Sequence, residues 1–535
     1  MTVSPTYPGI YIQELPSSSH TITPAPTSIA AFVGYSHPYQ TKQFYVAQQC
    51  FSFTDYVTAF GPLFSSGLID ASLPRAVYQF FLNGGSTAWV VGLQPGLLGI
   101  APGTTAAKFG TASTDMQFTV EIPTDGGGIT FTALQPCDAV ALAVQISNVN
   151  STTKKFDLVV TYGGQIETYR GLQLTTASLA AVTAVSQLVS ISEPAVGFGS
   201  ISATKPAAGS KPFPIYPNVN EVATPISTFN PDDYLNPGGG TIAVFEANST
   251  LDNVEIFNLL LTPGVTDFSV VSAALAFAES KRAFMIVDPP PQAPAFTTVG
   301  PPPSPIVDWM TTSGLTLPAS QNGALYFPYL LSNDPVTGNN VPVAPSGFVA
   351  GIYAQTDASR GVWKAPAGLA TTILNTSGPV LSGVMTDPQQ GVLNQESINC
   401  LRSFSGVGTV VWGARTLVAV SQQQWMYVPV RRMTLFIEQT LLANLRWVVF
   451  EPNDEPLWIA ITNSISAFML SLFRQGALQG STPSQAFQVT CDSTTTTPAN
   501  QAQGIVNIVV AFAPLKPAEF VIVQIAQLAG QTAGS

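Results

Sequence analysis

Charged residues are scarce in this chain of 535 residues, where they make up 9% of the sequence against about 25% in an ordinary globular protein. The 19 Lys and Arg residues are outnumbered by 30 Asp and Glu residues, which gives a formal net charge of −11. Phosphate binding needs clustered basic side chains, so this composition argues against nucleic acid as a direct partner. Because so few ions cover its surface, copies of the chain repel one another only weakly, and we expect extensive self-association.

Cysteine and histidine are also rare. The cysteines lie far apart without a C-x-x-C pair, so we expect free buried thiols and neither a disulfide framework nor a zinc site. The two histidines, His20 and His37, have no second ligand at metal-binding spacing. No phosphate-binding glycine loop or nucleophile elbow occurs. The sequence therefore predicts a protein that is not an enzyme and holds no metal or cofactor. The cysteines are Cys50, Cys137, Cys400 and Cys491.

Two other groups of polar residues have structural interpretations. Asp232 and Asp233 are adjacent carboxylates in a proline-rich loop, and we interpret them as a solvated turn. Arg415 and Arg446 are interpreted as partners of buried polar groups.

Apolar runs such as residues 505–515 stop short of the roughly 20 residues that a membrane span needs. The first residues show no charged region followed by an apolar core of the kind that a secretory signal has. We therefore expect a soluble chain that is made in the cytoplasm and does not insert into a membrane.

The first part of the chain alternates strands and helices. An apolar run at 28–34 predicts a buried strand, 70–85 predicts a helix that ends at a glycine, and 87–93 predicts a second strand. This order indicates an α/β core. The pattern returns later, with a helix predicted at 251–264 and a helix followed by a strand at 272–291. The predicted inner face of the first helix consists of Leu73, Val77, Phe80 and Phe81.

Between these parts the pattern changes. Alternating apolar and polar residues, as in 117–122 and 156–162, are separated by glycine-rich turns, which is typical of an all-β unit inserted into the core. Proline- and glycine-rich stretches at 204–221 and 229–240 indicate a linker.

The last third is rich in helix signals. Residues 434–450 predict a helix with Thr434 as its N-cap, and residues 456–476 predict a helix that begins at a proline and ends at a glycine. Strands are predicted at 486–492 and 505–514. The core stripe predicted for the second helix consists of Leu457, Trp458, Ile461, Ile465, Phe468, Met469 and Leu472.

Both ends of the chain carry a strand signal that looks detached from the rest. The stretch GIYIQEL at 9–15 is followed by a Pro/Ser/Thr run, and 518–530 follows Pro514 and Pro517. An isolated strand is not stable in water because its backbone groups need partners. Prolines stiffen the connections, which favours pairing with neighbouring copies over folding back.

Several stretches together resemble the contractile tail sheath family. They include INCLRSFSGVGTVVWGARTL at 398–417, WMYVPVRRMTLFIEQTL at 425–441, RWVVFEPNDEPLWIAI at 446–461 and APLKPAEFVIVQIAQ at 513–527. The resemblance also covers 345–368 and the N-terminal stretch 7–36. It implies a mixed α/β sheath core, an inserted β-rich outer domain and a C-terminal α+β inner domain with exchanged terminal strands. The implied division is an N-terminal arm at 1–20, core at 21–93 and 231–390, outer domain at 94–230, inner domain at 391–514 and C-terminal arm at 515–535.

The resemblance also implies roles for particular residues. In this family the arms add strands to the small sheet of a neighbouring subunit, and one inner-domain helix lies against a central tube. The strand-exchange residues implied here are Gly9, Ile10, Tyr11, Ile12, Gln13, Glu14, Leu15, Glu519, Phe520, Val521, Ile522, Val523, Gln524 and Ile525. The implied tube-facing residues are Asn463, Ser466, Leu470 and Arg474, with a solvated helix face as the alternative.

The function implied is that of a sheath subunit in a contractile injection machine. Copies would form stacked six-fold rings, as a helical homopolymer, around an inner tube, with baseplate and terminal cap proteins as further partners. We favour an extracellular phage-tail-like system assembled in the bacterial cytoplasm, with the tail sheath of a contractile-tailed bacteriophage as the alternative. Alternatives from other classes are an adhesin-like surface protein without contraction and an enzyme with an unrecognised site.

Overall fold

The computed structural model describes residues 21–66, 69–94, 117–120, 129–136, 140, 142–150, 152–153, 155–173, 175–192, 209–212, 229–291, 305–311, 318–381, 383–418 and 421–524. The predicted arm at 9–15 lies outside these residues, as do His20, Cys137 and Ile525. The described chain is divided into two compact units. The larger unit takes its described residues from 25–362 and 366–431, and the smaller unit comprises 21–24, 363–365 and 432–524.

The larger unit alternates strands and helices along most of its length. In chain order its elements are β1 Ala30–Tyr35, β2 Ala47–Cys50, α1 Phe53–Phe60, α2 Ser72–Leu82, β3 Ala88–Leu93, β4 Gln117–Val120, β5 Ile129–Ala133, β6 Leu142–Asn150, β7 Lys155–Tyr162, β8 Gln165–Gln173, α3 Thr176–Val185, β9 Val189–Ser192, β10 Gly209–Pro212, α4 Asp232–Leu235, β11 Leu259–Leu261, α5 Phe268–Ser280, β12 Phe284–Val287, α6 Pro305–Thr311, β13 Gly323–Phe327, β14 Leu330–Asn333, β15 Asn340–Val343, α7 Pro345–Arg360, β16 Gly378–Pro379, α8 Asp387–Gln395, β17 Ile398–Phe404 and β18 Gly408–Trp412.

An eight-stranded sheet forms the core of this unit, in the order β18-β17-β13-β12-β11-β1-β3-β2. Its six central strands are parallel, and an antiparallel strand closes each edge. The predicted strands at 28–34 and 87–93 are β1 and β3, which pair in parallel from Ala30 with Ala88 to Tyr35 with Leu93. Strands buried on both faces are typical of such sheets, and all six residues of β1 are buried. The predicted mixed α/β fold is confirmed at this level.

The β-rich segment between β3 and α4 folds as a module of its own. Strands β10-β6-β7-β8 form one antiparallel sheet and β4-β5-β9 form another. Helix α3 connects β8 to β9. The module core contains apolar residues from both sheets, and Leu63 and Val336 of the surrounding core join the same cluster. The module, named the inserted module below, is therefore packed against the core of its own unit.

Helices α2 and α7 approach each other closely through two glycines of α7. A Cβ added at Gly347 would lie 2.4 Å from the carbonyl oxygen of Ala76, and one at Gly351 would lie 2.6 Å from the Cβ of Asn83. The predicted inner face of α2 is confirmed at Leu73, Val77 and Phe80, whereas Phe81 is half-buried.

The smaller unit is helical with one small sheet. Helix α9, Val428–Asn444, leads into it from the larger unit, and a 3-10 turn at Arg446–Val448 follows. Its other elements are α10 Glu455–Arg474, α11 Pro483–Ala486, β19 Phe487–Thr490, α12 Pro498–Ala502 and β20 Val509–Phe512.

The helix predicted at 251–264 is wrong, because this stretch contains turns and the short strand β11. Asn258 accepts a hydrogen bond from Ile29 N (3.0 Å) and donates one to Pro26 O (2.8 Å), which aligns β11 beside β1. An apolar run that is buried on both faces of a sheet has no period that distinguishes it from a buried helix.

The predicted start of α9 is also wrong. Thr434 lies inside the helix, which begins at Val428, where Val428 N donates to Ala414 O (2.9 Å). Pro429 stands in the first turn, a position that proline favours.

The two compact units divide between Arg431 and Arg432, whereas the sequence predicted an inner domain from residue 391. Strands β17 and β18 account for the difference, because β17 pairs in parallel with β13 and β18 pairs with β17. Residues 398–412 therefore belong to the large sheet.

Replacing Gly347 with alanine tests the close contact of α2 and α7. We expect Gly347→Ala to lower the free energy of unfolding by about 1–3 kcal/mol, because the new methyl group meets backbone atoms that cannot move aside. The matched control is Gly391→Ala in α8, where nothing lies within 4 Å. The control is expected to be neutral or up to about 1 kcal/mol more stable. Urea titration measures both, and equal effects would contradict the close contact.

Candidate assembly interface

Helix α10 begins and ends where its sequence predicts. The Asp454 side chain accepts a hydrogen bond from Glu455 N (2.8 Å), and Pro456 stands in the first turn. At the other end Gly476 has a positive φ of 74°, Gly476 N donates to Phe473 O (2.9 Å) and Ala477 N donates to Leu472 O (3.0 Å). This pair of hydrogen bonds is a Schellman motif, which requires the glycine.

Asn453 ties the start of α10 to the chain that follows it. Its Oδ1 accepts from Trp458 Nε1 (2.9 Å), its backbone carbonyl accepts from Gln501 Nε2 (2.6 Å), and its Nδ2 donates to Ile505 O (3.1 Å). The orientation of the helix within the smaller unit is therefore held by hydrogen bonds as well as by apolar packing.

The predicted core stripe of α10 is confirmed. All seven residues are buried, and Phe468 packs against Phe436 of α9 with ring centroids 6.1 Å apart. Among the described residues α10 is the one helix with the length and hydropathy of a membrane span. Because one face packs in the smaller unit and the other carries polar as well as apolar residues, we interpret it as an amphipathic core helix.

The opposite face of α10 is open. Asn463 and Arg474 are exposed, and Ser466 and Leu470 are half-buried. The structure thus brings the four predicted tube-facing residues onto one face of one helix, while their contact with a tube stays a prediction. Sequence reasoning missed Ile459 and Ala467, which are exposed on the same face at helical spacing from Asn463 and could have been found by continuing that spacing. This set is named the open stripe below: Ile459, Asn463, Ser466, Ala467, Leu470 and Arg474.

A two-stranded antiparallel hairpin, β19 with β20, completes the smaller unit. It pairs Phe487 with Phe512 through Thr490 with Val509. In the part of the chain that the structure describes, each of these strands has a single neighbour, so both outer edges of the hairpin are unpaired. Strand β20 has no charged residue or proline to protect its edge, which is the usual defence against pairing with another chain.

The C-terminal segment runs out from this hairpin without regular structure. No helix or strand is assigned to 515–524, and the side chains of Phe520, Val521, Ile522 and Val523 are between 72% and 85% exposed. These four are predicted strand-exchange residues, together with Glu519 and Gln524. Four consecutive exposed apolar side chains are a feature of surfaces that associate with another molecule.

The described residues offer little for catalysis. They contain no group of three side chains able to hold a metal, and Cys50, Cys400 and Cys491 are buried free thiols. Burial raises the pKa of Asp288 to about 6, but its oxygens accept from Ser346 N (2.8 Å), Ser346 Oγ (2.6 Å) and Gly264 N (3.0 Å). This carboxyl group therefore anchors the start of α7.

One predicted polar role needs correction. Asp233 is buried and accepts a hydrogen bond from Tyr35 Oη (2.7 Å), so it links α4 to the end of β1 and is not part of a solvated turn. Arg415 is buried and donates to Asn394 O (2.6 Å), as predicted, whereas Arg446 is exposed.

Two family models match the chain. The model of the phage tail sheath protein central domain matches residues 240–417, and that of the phage tail sheath C-terminal domain matches residues 420–527. Together the matches cover more than half of the 535 residues. The chain belongs to the contractile tail sheath family.

Individual sheath proteins show the same relationship. A protein of Pseudomonas aeruginosa (strain UCBPP-PA14), described as a prophage major tail sheath protein, is 32% identical over 178 residues, which are 32% of this sheath chain and 43% of that protein. The tail sheath protein of Burkholderia phage BcepMu is 27% identical over 165 residues, which are 30% of this chain and 35% of that protein. The matched region thus spans less than half the length of these relatives.

Solved structures extend the likeness to the whole fold. The PVC sheath complex of an extracellular contractile injection system, in its contracted state, superposes with a TM-score of 0.56 at 20% identity, covering 98% of this chain and 99% of that one. The helical sheath of the anti-feeding prophage (AFP), also contracted, gives 0.54 at 22% identity, covering 98% and 100%. This sheath chain therefore has the fold of those sheaths.

The orientation of α10 can be tested with two isoleucines of the same helix. Ile461 is fully buried and Ile459 is 52% exposed. We expect Ile461→Ala to destabilise the sheath chain by about 2–5 kcal/mol, because it leaves a cavity in the core. The control Ile459→Ala should change stability by less than about 0.5 kcal/mol. Chemical denaturation followed by circular dichroism measures both, and similar losses for the two variants would contradict the assigned faces.

Proposed function

We propose that this sheath chain is a structural subunit of a contractile injection machine. Copies of it polymerise as stacked six-fold rings around an inner tube, and contraction drives the tube through a target envelope. The observation that carries the proposal is the exposed apolar segment Phe520–Val523, which follows β20 in the chain, together with a β19–β20 hairpin whose outer edges have no partner strand among the described residues. Membership of the sheath family supports it.

The proposed link between copies is strand addition. Residues 519–525 of one copy, and 9–15 of another, extend the β19–β20 hairpin of a neighbour. Main-chain hydrogen bonds supply affinity and alternate side chains set the register. Valine and isoleucine at 521–523 suit a strand, because β-branched side chains pack well on a pleated surface.

Each link is modest in free energy. Burial of one Val, Ile or Phe side chain contributes about 1.5–3 kcal/mol. Ordering the backbone costs about 1–2 kcal/mol per residue, which offsets much of this gain. A single exchanged strand is therefore weak, but many links in one helical polymer act together, because each bound strand raises the effective concentration of the next.

The open stripe of α10 is the proposed contact with the tube. Asn463 and Ser466 provide hydrogen-bonding groups, Leu470 provides apolar area and Arg474 is its one basic residue. Contacts made mostly by uncharged side chains hold the tube through shape complementarity and hydrogen bonds, without a strong ionic bond. Such contacts can be released when subunits move outward during contraction.

The machine proposed here needs no chemistry from this chain. The energy of contraction is stored in the contacts between subunits at assembly, so no nucleotide and no catalytic residue is required. Baseplate and terminal cap proteins are the other proposed partners. Assembly takes place in the bacterial cytoplasm, before the particle acts.

The proposed system is an extracellular phage-tail-like particle. Support comes from the likeness in fold, over 98% of the chain, to the sheaths of an extracellular contractile injection system and of the anti-feeding prophage. The alternative, the tail sheath of a phage, is favoured by the similarity to the tail sheath protein of phage BcepMu. Electron microscopy of the purified protein tests the shared proposal: hollow striated cylinders are expected, and dispersed particles would favour an adhesin-like binding protein.

A proline at Val521 tests strand addition. Val521→Pro removes one backbone donor from the proposed exchanged strand, and Val521→Thr keeps both the donor and the β-branched shape. Because Val521 is 80% exposed in the single chain, neither variant should change its folding by more than about 0.5 kcal/mol. We expect the proline variant to form at least about tenfold fewer long cylinders, equivalent to about 1.4 kcal/mol, with the threonine variant near wild type. Normal cylinders from the proline variant would count against the link.

A carboxylate on the open stripe tests the tube contact. Leu470→Asp places an unpaired charge in the proposed interface, which is costly to bury. In cells that also make the tube protein, we expect cylinders to form with at least about tenfold less tube inside. The control is Gln503→Asp, at an exposed position just after α12. Undiminished tube recovery with Leu470→Asp, measured by gel densitometry of purified particles, would show that the stripe faces elsewhere.

A further inference from the structure

A loop of the core meets the inserted module through polar side chains. The loop follows β1, and its Gln40 Nε2 donates to Leu134 O (2.9 Å) and to Gln187 O (3.0 Å) of the module. His37 stands in the same loop, is completely buried, and lies 3.0 Å through its Nε2 from Gln135 Oε1. These four residues of the contact, His37, Gln40, Gln135 and Gln187, are named the latch below.

The hydrogen bonds of the latch define the protonation state of His37. Tyr39 N donates to His37 Nδ1 (3.2 Å), so Nδ1 carries no proton. Nε2 must then carry the proton and donate it to Gln135 Oε1. The amide group of Gln135 is oriented to accept it, because its Nε2 donates to Gln187 O (3.3 Å). The imidazole is therefore neutral, with both nitrogens in use.

The space around the imidazole is filled. The rings of Tyr39 and Phe64 pack against it with centroids 6.0 Å and 5.3 Å away. A Cβ at Gly61, whose φ is 85°, would lie 2.8 Å from the Cβ of His37. The imidazole is thus packed against two aromatic rings and lies beside a backbone position that has no room for a side chain.

Among the described residues, no ionised group is positioned to compensate a charge on the imidazole. The hydrogen bonds of the imidazole go to an amide side chain and a backbone N–H. Burial lowers the pKa of His37 to about 4, and the bond to Gln135 opposes this shift. The hydrogen bonds of the imidazole involve none of the ionisable side chains on the loop or on α1, α2, β7 and β8. These residues are Tyr39, Lys42, Tyr45, Asp55, Tyr56, Arg75, Tyr78, Lys155, Asp157, Tyr162, Glu167, Tyr169 and Arg170.

We propose that His37 makes the latch sensitive to acid. The latch holds the inserted module against the core sheet while the imidazole of His37 is neutral, and it loosens when the imidazole is protonated. A second proton on Nδ1 would point at the Tyr39 N–H, and a buried cation would have no partner. The charged ring becomes stable only when the loop or the module segment at 134–136 opens to water. The latch lies within the larger unit and acts in a single chain, so it is independent of the proposed assembly.

The direction of the pH effect follows from the lowered pKa. A histidine that titrates near 6.5 when exposed but near 4 when buried contributes stability above pH 6.5, and this contribution is lost as the pH falls from 6.5 towards 4. Between pH 7 and pH 5 the equilibrium constant for opening should rise about 20-fold. Replacing His37 with a residue that cannot titrate should remove this pH dependence of the opening equilibrium.

Hydrogen exchange of the full chain tests the latch. The wild type, His37→Gln and the control His20→Gln are compared at pH 7 and pH 5, with rates corrected for the intrinsic effect of pH. Glutamine at 37 retains a donor for Gln135 but does not titrate. We expect peptides covering 131–136 and 187–191 to lose protection about 20-fold in the wild type and in the control, and to stay unchanged in His37→Gln. Equal losses in all three proteins, or no loss in the wild type, would overturn the proposal.

A second measurement applies even if His37→Gln fails to fold. The chain has two histidines, so NMR of the histidine-labelled wild type, with His20→Gln for assignment, gives the pKa of His37 directly. A value below about 5 supports the latch, and a value near the ordinary 6.5 contradicts it.

Discussion

A backbone strand needs a hydrogen-bonding partner, and the C-terminal residues 515–524 of the described chain belong to no helix or strand. The side chains of Phe520, Val521, Ile522 and Val523 are exposed, and among the described residues β19 and β20 pair only with each other. Exposed apolar side chains and unpaired strand edges are each unfavourable in water. Strand addition between copies would bury the side chains and supply hydrogen-bonding partners to the edges. The proposed assembly follows from this complementarity more directly than from any single side chain.

The larger unit has a different kind of stability. Its parallel sheet is buried on both faces, α2 and α7 touch through glycines that leave no space, and the inserted module packs into the same unit. Buried polar groups such as Asp233 and Asp288 bond to backbone and hydroxyl donors and act as anchors. A unit built this way suits transmission of force, because close-packed interiors deform little.

The low proportion of charged residues agrees with the proposed association of copies. Self-repulsion is weak, so contacts between copies do not need to overcome it. The same composition leaves the open stripe of α10 with a single charged residue, Arg474, which agrees with the proposed reversible contact with a tube.

Sequence reasoning succeeded where a local signal was strong. Both ends of α10 follow from Pro456 and Gly476, and the α/β core follows from the alternation around α2. It failed where tertiary structure decides. The apolar run of β11 reads equally well as a helix, and the partner of Asp233, a tyrosine on β1, is distant in the sequence. The open stripe was found only in part, because the helical spacing from Asn463 was not continued to Ile459 and Ala467.

The most direct test of the account is a helical reconstruction of the assembled cylinder by cryo-electron microscopy, at a resolution that traces the main chain. The account predicts that residues 520–523 of each copy lie as a strand beside β19 or β20 of a different copy. A reconstruction in which these residues pair within their own subunit, or stay exposed between subunits, would contradict it.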